Sequence, residues 1–298
     1  MSIVKKIWGR TAANREKNSI MGWLDSSMVL EQYVQPMITG NSVTNWLVGI
    51  SKKLQISAET KWVSLGCGSA GQEIFASKMG LFAEMDAFEL SPQAINIARK
   101  NAKIEGIKNI NFNVGDFNDI KLKPKYYDVA LMVMSLHHVE NLEALFKILQ
   151  KSIKENGLLI VNEYIGPSQM QFTPRQLSIV SQLLDILPEK YRYDYTAKQI
   201  KQSCYLRNRE EWNNVDPSEA IRSDEIVPLM NKYFIQIERI DYGGTILNPL
   251  LENIIKNFHN NSEDSAAILN LLIYIEKILI QEKIITSDFA VMVMRNVN

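Results

Sequence analysis

Residues 61–71, Lys-Trp-Val-Ser-Leu-Gly-Cys-Gly-Ser-Ala-Gly, constrain the fold more than any other stretch of the chain. A short apolar run stops in a glycine-rich turn, and a helical pattern follows from about Gln72 to Met79. Gly66 and Gly68 lack a Cβ and can take positive φ, so backbone there can press against a ligand that a side chain would exclude. At the carboxyl end of a parallel strand, such a turn opens a nucleotide-type crevice.

The segments around this turn alternate. Strands are predicted at 61–65, 83–89, 110–114, 127–134 and 157–163, with helices at 71–79, 92–105 and 141–154 between them. Alternation of this kind predicts a doubly wound, Rossmann-like α/β core with a parallel sheet covered by helices. Ser91-Pro92 reads as a helix start and Asn156-Gly157 as a helix stop. Residues 1–60 show helical periodicity, broken near Pro36 and Gly40-Asn41. Residues 166–231 read as helices and loops punctuated by prolines. The sheet resumes at Tyr233–Ile240, a second helical stretch covers about 246–281, and Asp288–Arg295 is a last strand. The expected organisation is a helical leader (1–60), a core (61–165 and 232–298) and a helical cap insertion (166–231).

Composition removes several classes of function. The 298 residues carry a formal net charge of zero, which gives no bulk attraction to nucleic acid or an acidic membrane. Two cysteines, Cys67 and Cys204, have no metal-ligand spacing and fit a reducing, cytoplasmic setting, and no metal is expected. The amino terminus has no signal-peptide pattern. The apolar segment 266–280 contains Glu276 and Lys277 and is too short to span a bilayer, so it reads as a buried or amphipathic helix.

Taken literally, Gly66, Gly68 and Gly71 fit the spacing of a dinucleotide fingerprint, and Glu89 at the end of the second strand could accept from ribose hydroxyls. That pair does not choose between NAD and an adenosyl-sulfonium ligand. Asp116-Phe117 does, because an acid there can accept from an adenine amino group while the adjacent ring covers the base. The ordered series LGCGSAG, Phe88-Glu89-Leu90-Ser91, Val114-Gly115-Asp116-Phe117, Tyr127-Asp128-Val129, Ser135-Leu136-His137-His138-Val139 and Asn156–Glu163 resembles class I S-adenosylmethionine-dependent methyltransferases. Asn162–Pro167, Asp216–Ala220 and Asp241–Thr245 resemble a bacterial small-molecule or glycan-type subgroup of unsettled substrate.

The resemblance implies a seven-stranded sheet with the last strand antiparallel, S-adenosyl-L-methionine as cofactor, and a small-molecule or glycan acceptor methylated at oxygen. It implies that Ser64, Gly66, Cys67 and Gly68 meet the methionine part. Glu89 and Leu90 would meet the ribose, Asp116 and Phe117 the adenine, and Ser135 the sulfonium region. His137 and His138 follow the fourth strand and are the expected general bases, His137 first. Glu163 and Tyr164 are expected to contact the acceptor. Two positions depart from the family pattern: Ser64 stands where an acid is usual, and Ala70 where a third glycine is usual, so the turn is expected to follow a different local path.

Three competing readings stay open on sequence alone. The literal glycine spacing allows an NAD-dependent oxidoreductase. Ser64 and Ala70 allow a non-catalytic, methyltransferase-like partner subunit. The Tyr191–Tyr195 and Tyr205–Arg209 segments, with aromatic and basic residues interleaved, allow an RNA methyltransferase. Trp23, Tyr33, Trp46, Met132 and Met134 are expected in the core.

Overall fold

The computed structural model describes residues 21–117, 119–204, 206–260 and 262–298. Expectations for residues 1–20 and for Tyr205 fall outside these. The core strands are β1 (Lys61–Leu65), β2 (Glu84–Glu89), β3 (Ile110–Val114), β4 (Tyr127–Val133), β5 (Ile153–Tyr164), β6 (Ile235–Gly243) and β7 (Phe289–Arg295). They form one sheet in the order β3-β2-β1-β4-β5-β7-β6. Pairings among β1 to β5 are parallel, while β7 runs antiparallel to both neighbours.

Strand periodicity sends alternate side chains to opposite faces. Trp62 on β1 and Leu131 on β4 join one apolar layer, with Ile95 and Ala98 of a helix over Pro92–Ile104 and with Trp23 and Tyr33 of the leader. Val63, Leu65, Ala130 and Met132 join the other layer, against Leu142, Leu145, Phe146 and Leu149 of a helix over Leu142–Ser152. Those four helical positions repeat at intervals of three and four, which lines them up on one face. β1 is buried from Trp62 to Leu65 on both sides, as a central parallel strand must be. Beside it the chain order reverses, running outward through β2 and β3 on one flank and β4 and β5 on the other. A crevice at the strands' carboxyl ends belongs at that switch point.

Local signals account for most boundaries. Ser91 caps the Pro92–Ile104 helix by accepting from the Ala94 amide, with Pro92 in its first turn. Three expectations are corrected. The leader helix does not break at Pro36: residues 27–39 stay helical, through a π-turn at Leu30–Val34, and end at Gly40 with φ 79°. Widening the turn ahead of the proline makes room for a ring that would otherwise crowd the carbonyl one turn back. The stop expected at Asn156-Gly157 comes earlier, at Ser152, and Asn156 (φ 63°) bends β5 instead. The Asn156 amide donates to the Asn296 carbonyl and the Asn296 amide to Gly157, which clamps the bend. Met132 is core, but Met134 takes φ 48° and reaches the cavity described below.

Residues 166–231 hold helices at Pro174–Ile186, Arg209–Val215 and Ile226–Tyr233 and a two-residue hairpin, Tyr193–Asp194 with Gln199–Ile200. Among the described residues no helix is long and apolar enough to cross a membrane.

Candidate active site

The turn after β1 runs through Gly66 (φ 82°), Gly68 (φ 53°) and Ala70 (φ 63°) into a helix over Gly71–Lys78. The Gly66 and Cys67 amides donate to the Phe88 carbonyl at 2.8 and 3.1 Å, so the turn is tied to the end of β2. A Cβ on Gly66 would stand 2.4 Å from Ser135 Cβ and 3.1 Å from Phe117 Cζ. Glycine is required there because turns from three strands meet. A Cβ on Gly68 would meet nothing within 4 Å, so the space its side chain vacates is open. Ala70 takes the left-handed conformation that a glycine would, despite a cost of about 1–2 kcal/mol for an L-residue. The diverted path expected from the alanine is therefore not seen.

Ser64 is buried, and its hydroxyl donates to Glu73 Oε1 at 2.7 Å. Glu73 projects from the first turn of the following helix and lines the same cavity as the glycine turn. Burial pushes its carboxyl up to about 7. An acid therefore stands beside Ser64, from position 73, although position 64 itself carries none. Sequence reasoning missed this residue, whose one signal was an acid three places after the turn. Glu89 is buried; Oε2 accepts from the Gly68 amide (3.1 Å) and Oε1 from the Ser91 amide (2.8 Å). Burial raises its pKa above the ordinary carboxylate value. Each oxygen retains a lone pair for a ligand hydroxyl.

These groups share one cavity of about 940 Å³, within the range of small-molecule sites. Gly66, Cys67, Gly68, Glu89, Leu90, Asp116, Phe117 and Ser135 all line it. Ser64 sits one layer back, reaching the cavity through Glu73. The leader contributes Gly22–Asp25 and the insertion Pro217–Glu219 and Ile221.

The lining beyond β4 is built differently. His137 and His138 occupy a 3₁₀ turn just beyond β4. His137 Nδ1 is bonded to Glu163 Oε1. Glu163 also accepts from the amides of Ser135 (2.9 Å), Leu136 (2.7 Å) and Tyr164 (2.7 Å). Those four bonds fill its capacity, and the residue is fully buried. Its carboxylate is turned into the protein, where it orients His137, rather than toward an acceptor as expected. Tyr164 lines the cavity and donates to the Pro167 carbonyl at 3.0 Å. Glu219, to which sequence reasoning gave no role, comes from the insertion; Oε1 lies 3.7 Å from His137 Nε2, and Oε2 lies 4.0 Å from His138 Nε2. Burial alone would depress the His137 imidazole, but the charges of Glu163, Glu219 and Asp216 outweigh it and hold it up at about 9.

Within the Tyr/Arg stretch two residues are packed and others, Tyr193, Tyr195 and Arg209, are exposed. Tyr191 is buried and stacks on Phe258 at 5.1 Å, and Arg207 lies 5.0 Å from the Trp212 ring.

A family model described as a methyltransferase domain matches residues 56–233. A sterol 4-C-methyltransferase of Caenorhabditis elegans is 24% identical over 45% of this chain and 41% of its own length. The malonyl-[acyl-carrier protein] O-methyltransferase of Halalkalibacterium halodurans is 27% identical over 46% of this chain and 50% of its own length. The chain spans about half the length of the curated relatives it matches. Among solved structures, the [4+2]-cyclase SpnF superposes with a TM-score of 0.50 at 11% identity, covering 91% of this chain and 96% of that one, which shows a shared fold.

Proposed function

This chain belongs to the methyltransferase-domain family, whose methyl donor is S-adenosyl-L-methionine, and we propose that its cavity binds that donor and methylates an oxygen of a small-molecule or glycan acceptor. One observation carries the reading. The glycine turn, Glu89 and Asp116-Phe117, contributed by the ends of three adjacent strands, line a single cavity whose far wall holds titratable side chains.

The residues present fit the donor. Open space at Gly68 leaves room for its methionine part against bare backbone. Glu73 would pair with its ammonium group, with Ser64 holding the carboxylate in place and Cys67 filling the wall. Glu89 would accept from the ribose hydroxyls, with Leu90 beside it; Asp116 and Phe117 would hold the adenine. Ser135, whose hydroxyl donates to the Leu65 carbonyl at 2.8 Å, would stand near the sulfonium. When bound, the donor supplies a methyl carbon already activated by positive sulfur. The protein's task is then to align the acceptor, exclude water and take up a proton.

Residues 22–25 of the leader and 217–219 and 221 of the insertion also line the cavity, which supports both as an acceptor roof. His137, oriented by Glu163, and His138 face that space with Glu219; we assign removal of the acceptor proton at neutral pH to His138 with Glu219, and to His137 once its imidazole is neutral above about pH 9, with the Tyr164 ring as a wall. Zero net charge and a buried Tyr191 argue against a nucleic-acid substrate, and two free cysteines suit the cytoplasm.

The test is equilibrium titration of the purified chain with S-adenosylhomocysteine and, separately, NADH. The expected result is one S-adenosylhomocysteine site per chain and no NADH site. Tight NADH binding alone would make this an oxidoreductase. Donor affinity without turnover across a broad panel of hydroxyl acceptors would make it a non-catalytic relative.

A further inference from the structure

Beyond β4 the cavity lining presents three donor side chains to one point. His137 and His138 follow β4, and Glu219 arrives from the insertion; one ligand atom from each lies within 4.8 Å of the others. The Nε2-to-carboxylate distances, 3.7 and 4.0 Å, are too long for direct hydrogen bonds. Both are shorter than two metal–ligand bonds of about 2.1 Å placed end to end. The gaps suit an ion seated between the donors.

Both rings are oriented from behind. His137 Nδ1 is bonded to the Glu163 carboxylate, itself fixed by three backbone amides. His138 Nδ1 faces the Ser218 carbonyl at 3.2 Å and the Ser218 hydroxyl at 3.3 Å. A carbonyl only accepts, and the Ser218 hydroxyl already donates to Asp216 Oδ1 at 2.6 Å. Both neighbours therefore call for a proton on His138 Nδ1, which leaves the Nε2 lone pair facing forward. Nδ1 tied to a carboxylate or carbonyl, with Nε2 directed at the ion, is how metal-binding histidines are held.

Backbone and charge agree with this. The Ile221 amide donates to the His137 carbonyl (3.1 Å) and the Gln169 amide to the Ala220 carbonyl (2.6 Å). The segment bearing Glu219 is thereby tied to the turn bearing the histidines. Asp216 and Glu163 are buried, and Glu219 is mostly so. Among the described residues no lysine or arginine forms an ion pair with any of the three. A divalent ion would supply the positive charge that this group of carboxylates otherwise receives only from imidazole.

We infer that His137, His138 and Glu219 form a two-histidine, one-carboxylate site for a divalent transition-metal ion, with its remaining positions open to the cavity. Two imidazoles favour zinc- or iron-class ions over magnesium or calcium, which prefer oxygen-only shells. No metal was expected from the sequence, because a ligand set split between residues 137–138 and 219 has no recognisable spacing. The ion's role, though not its binding, rests on the methyl-transfer reading. With the ion bound, the two histidines and Glu219 would serve as ligands and not as the base: the acceptor oxygen would coordinate the ion, its hydroxyl would become more acidic and the proton would leave to solvent water, which suits hydroxy acids, enols or catechol-like compounds.

The test uses the full chain, stripped with chelator and given Zn²⁺ or Co²⁺ with neither donor nor acceptor present. We expect one equivalent of metal per chain by elemental analysis after gel filtration, and a Co²⁺ visible spectrum of a low-symmetry site. Glu219→Gln and His138→Gln should each weaken Zn²⁺ binding roughly tenfold or more while the unfolding midpoint of the metal-free protein stays close to wild type. No stoichiometric uptake by the wild type, or equal uptake by both variants, would overturn the inference. S-adenosylhomocysteine titration of the same preparation keeps the two readings apart. Metal uptake without that ligand's binding sinks only the methyl-transfer reading, and the reverse sinks only this one.

Discussion

The two walls of the cavity are assembled on different principles. The donor wall is made of chain segments that follow one another between Ser64 and Phe117, each placed by the end of a strand already paired to its neighbour. Its shape is set by backbone: positive φ, close approach and amides committed to Phe88 and Glu89, on which the side chains of Glu73, Glu89, Asp116 and Phe117 are mounted. The acceptor wall joins the end of β4 to a segment some eighty residues later, and its specificity lies in side chains. Backbone geometry tolerates little change, while a side-chain cluster can exchange members without disturbing the sheet. One sheet thus carries a rigid socket beside an adaptable one.

The largest expected effect probes that rigidity. Gly66→Ala puts a Cβ into Ser135 in a left-handed conformation, so denaturant unfolding should report a loss of about 3–5 kcal/mol. Gly68→Ala meets only open space, so its stability loss should be about 1–2 kcal/mol, from backbone strain alone. Equal losses at the two positions would break the claim that three strand ends converge on Gly66.

Next comes Glu73, whose carboxyl is held at about 7 against an ordinary 4.5. The folded state keeps a proton that the unfolded chain releases, so stability falls as pH rises from about 4.5 to 7 and levels off above. This one group contributes about 3 kcal/mol to the fall. Glu73→Gln should remove that share, measured as the difference in unfolding free energy between pH 5 and pH 8. Some slope should persist, because burial also pushes the Asp288 carboxyl up to about 7. An unchanged slope would mean that Glu73 is not held protonated behind the glycine turn. Smaller again are Glu89→Ala and Asp116→Ala, each expected to weaken S-adenosylhomocysteine binding by about 1–3 kcal/mol in calorimetry. If neither moves, the donor socket lies elsewhere.

The same contrast decides what could be read from the chain alone. Short apolar runs bounded by turn residues placed β1 to β4 and β7 closely, because a sheet covered on both faces buries its central strands whatever the ligand, while β5 begins four residues before the expected start. That the residues proposed for the donor share one cavity was legible from motif order and strand-end position. What escaped depended on contacts across sequence. Glu73 comes beside Ser64 only because its helix folds back over that residue. Glu219 matters only because the insertion returns to His137. Glu163 looked like an acceptor contact until the four donors around it were visible. Pro36 escaped because a π-turn upstream absorbs what a proline normally breaks.

Ala70 gives the finest test of the donor wall. It is fully buried and sits at φ 63°, where the family pattern favours glycine. Ala70→Gly relieves about 1–2 kcal/mol of left-handed strain, but it gives up about 0.5–1 kcal/mol in backbone entropy and about 0.8 kcal/mol of buried methyl. The net change should therefore stay within about 1 kcal/mol of zero, with donor affinity unaltered. Ala70→Val keeps the strain and adds branched bulk to a closed site, so it should lose at least about 2 kcal/mol. That ordering would place the alanine as a tolerated variant of the same turn. A large gain from glycine would mean that the turn is held under strain the rest of the socket must oppose, and that this chain's departure from the family pattern carries a functional constraint of its own.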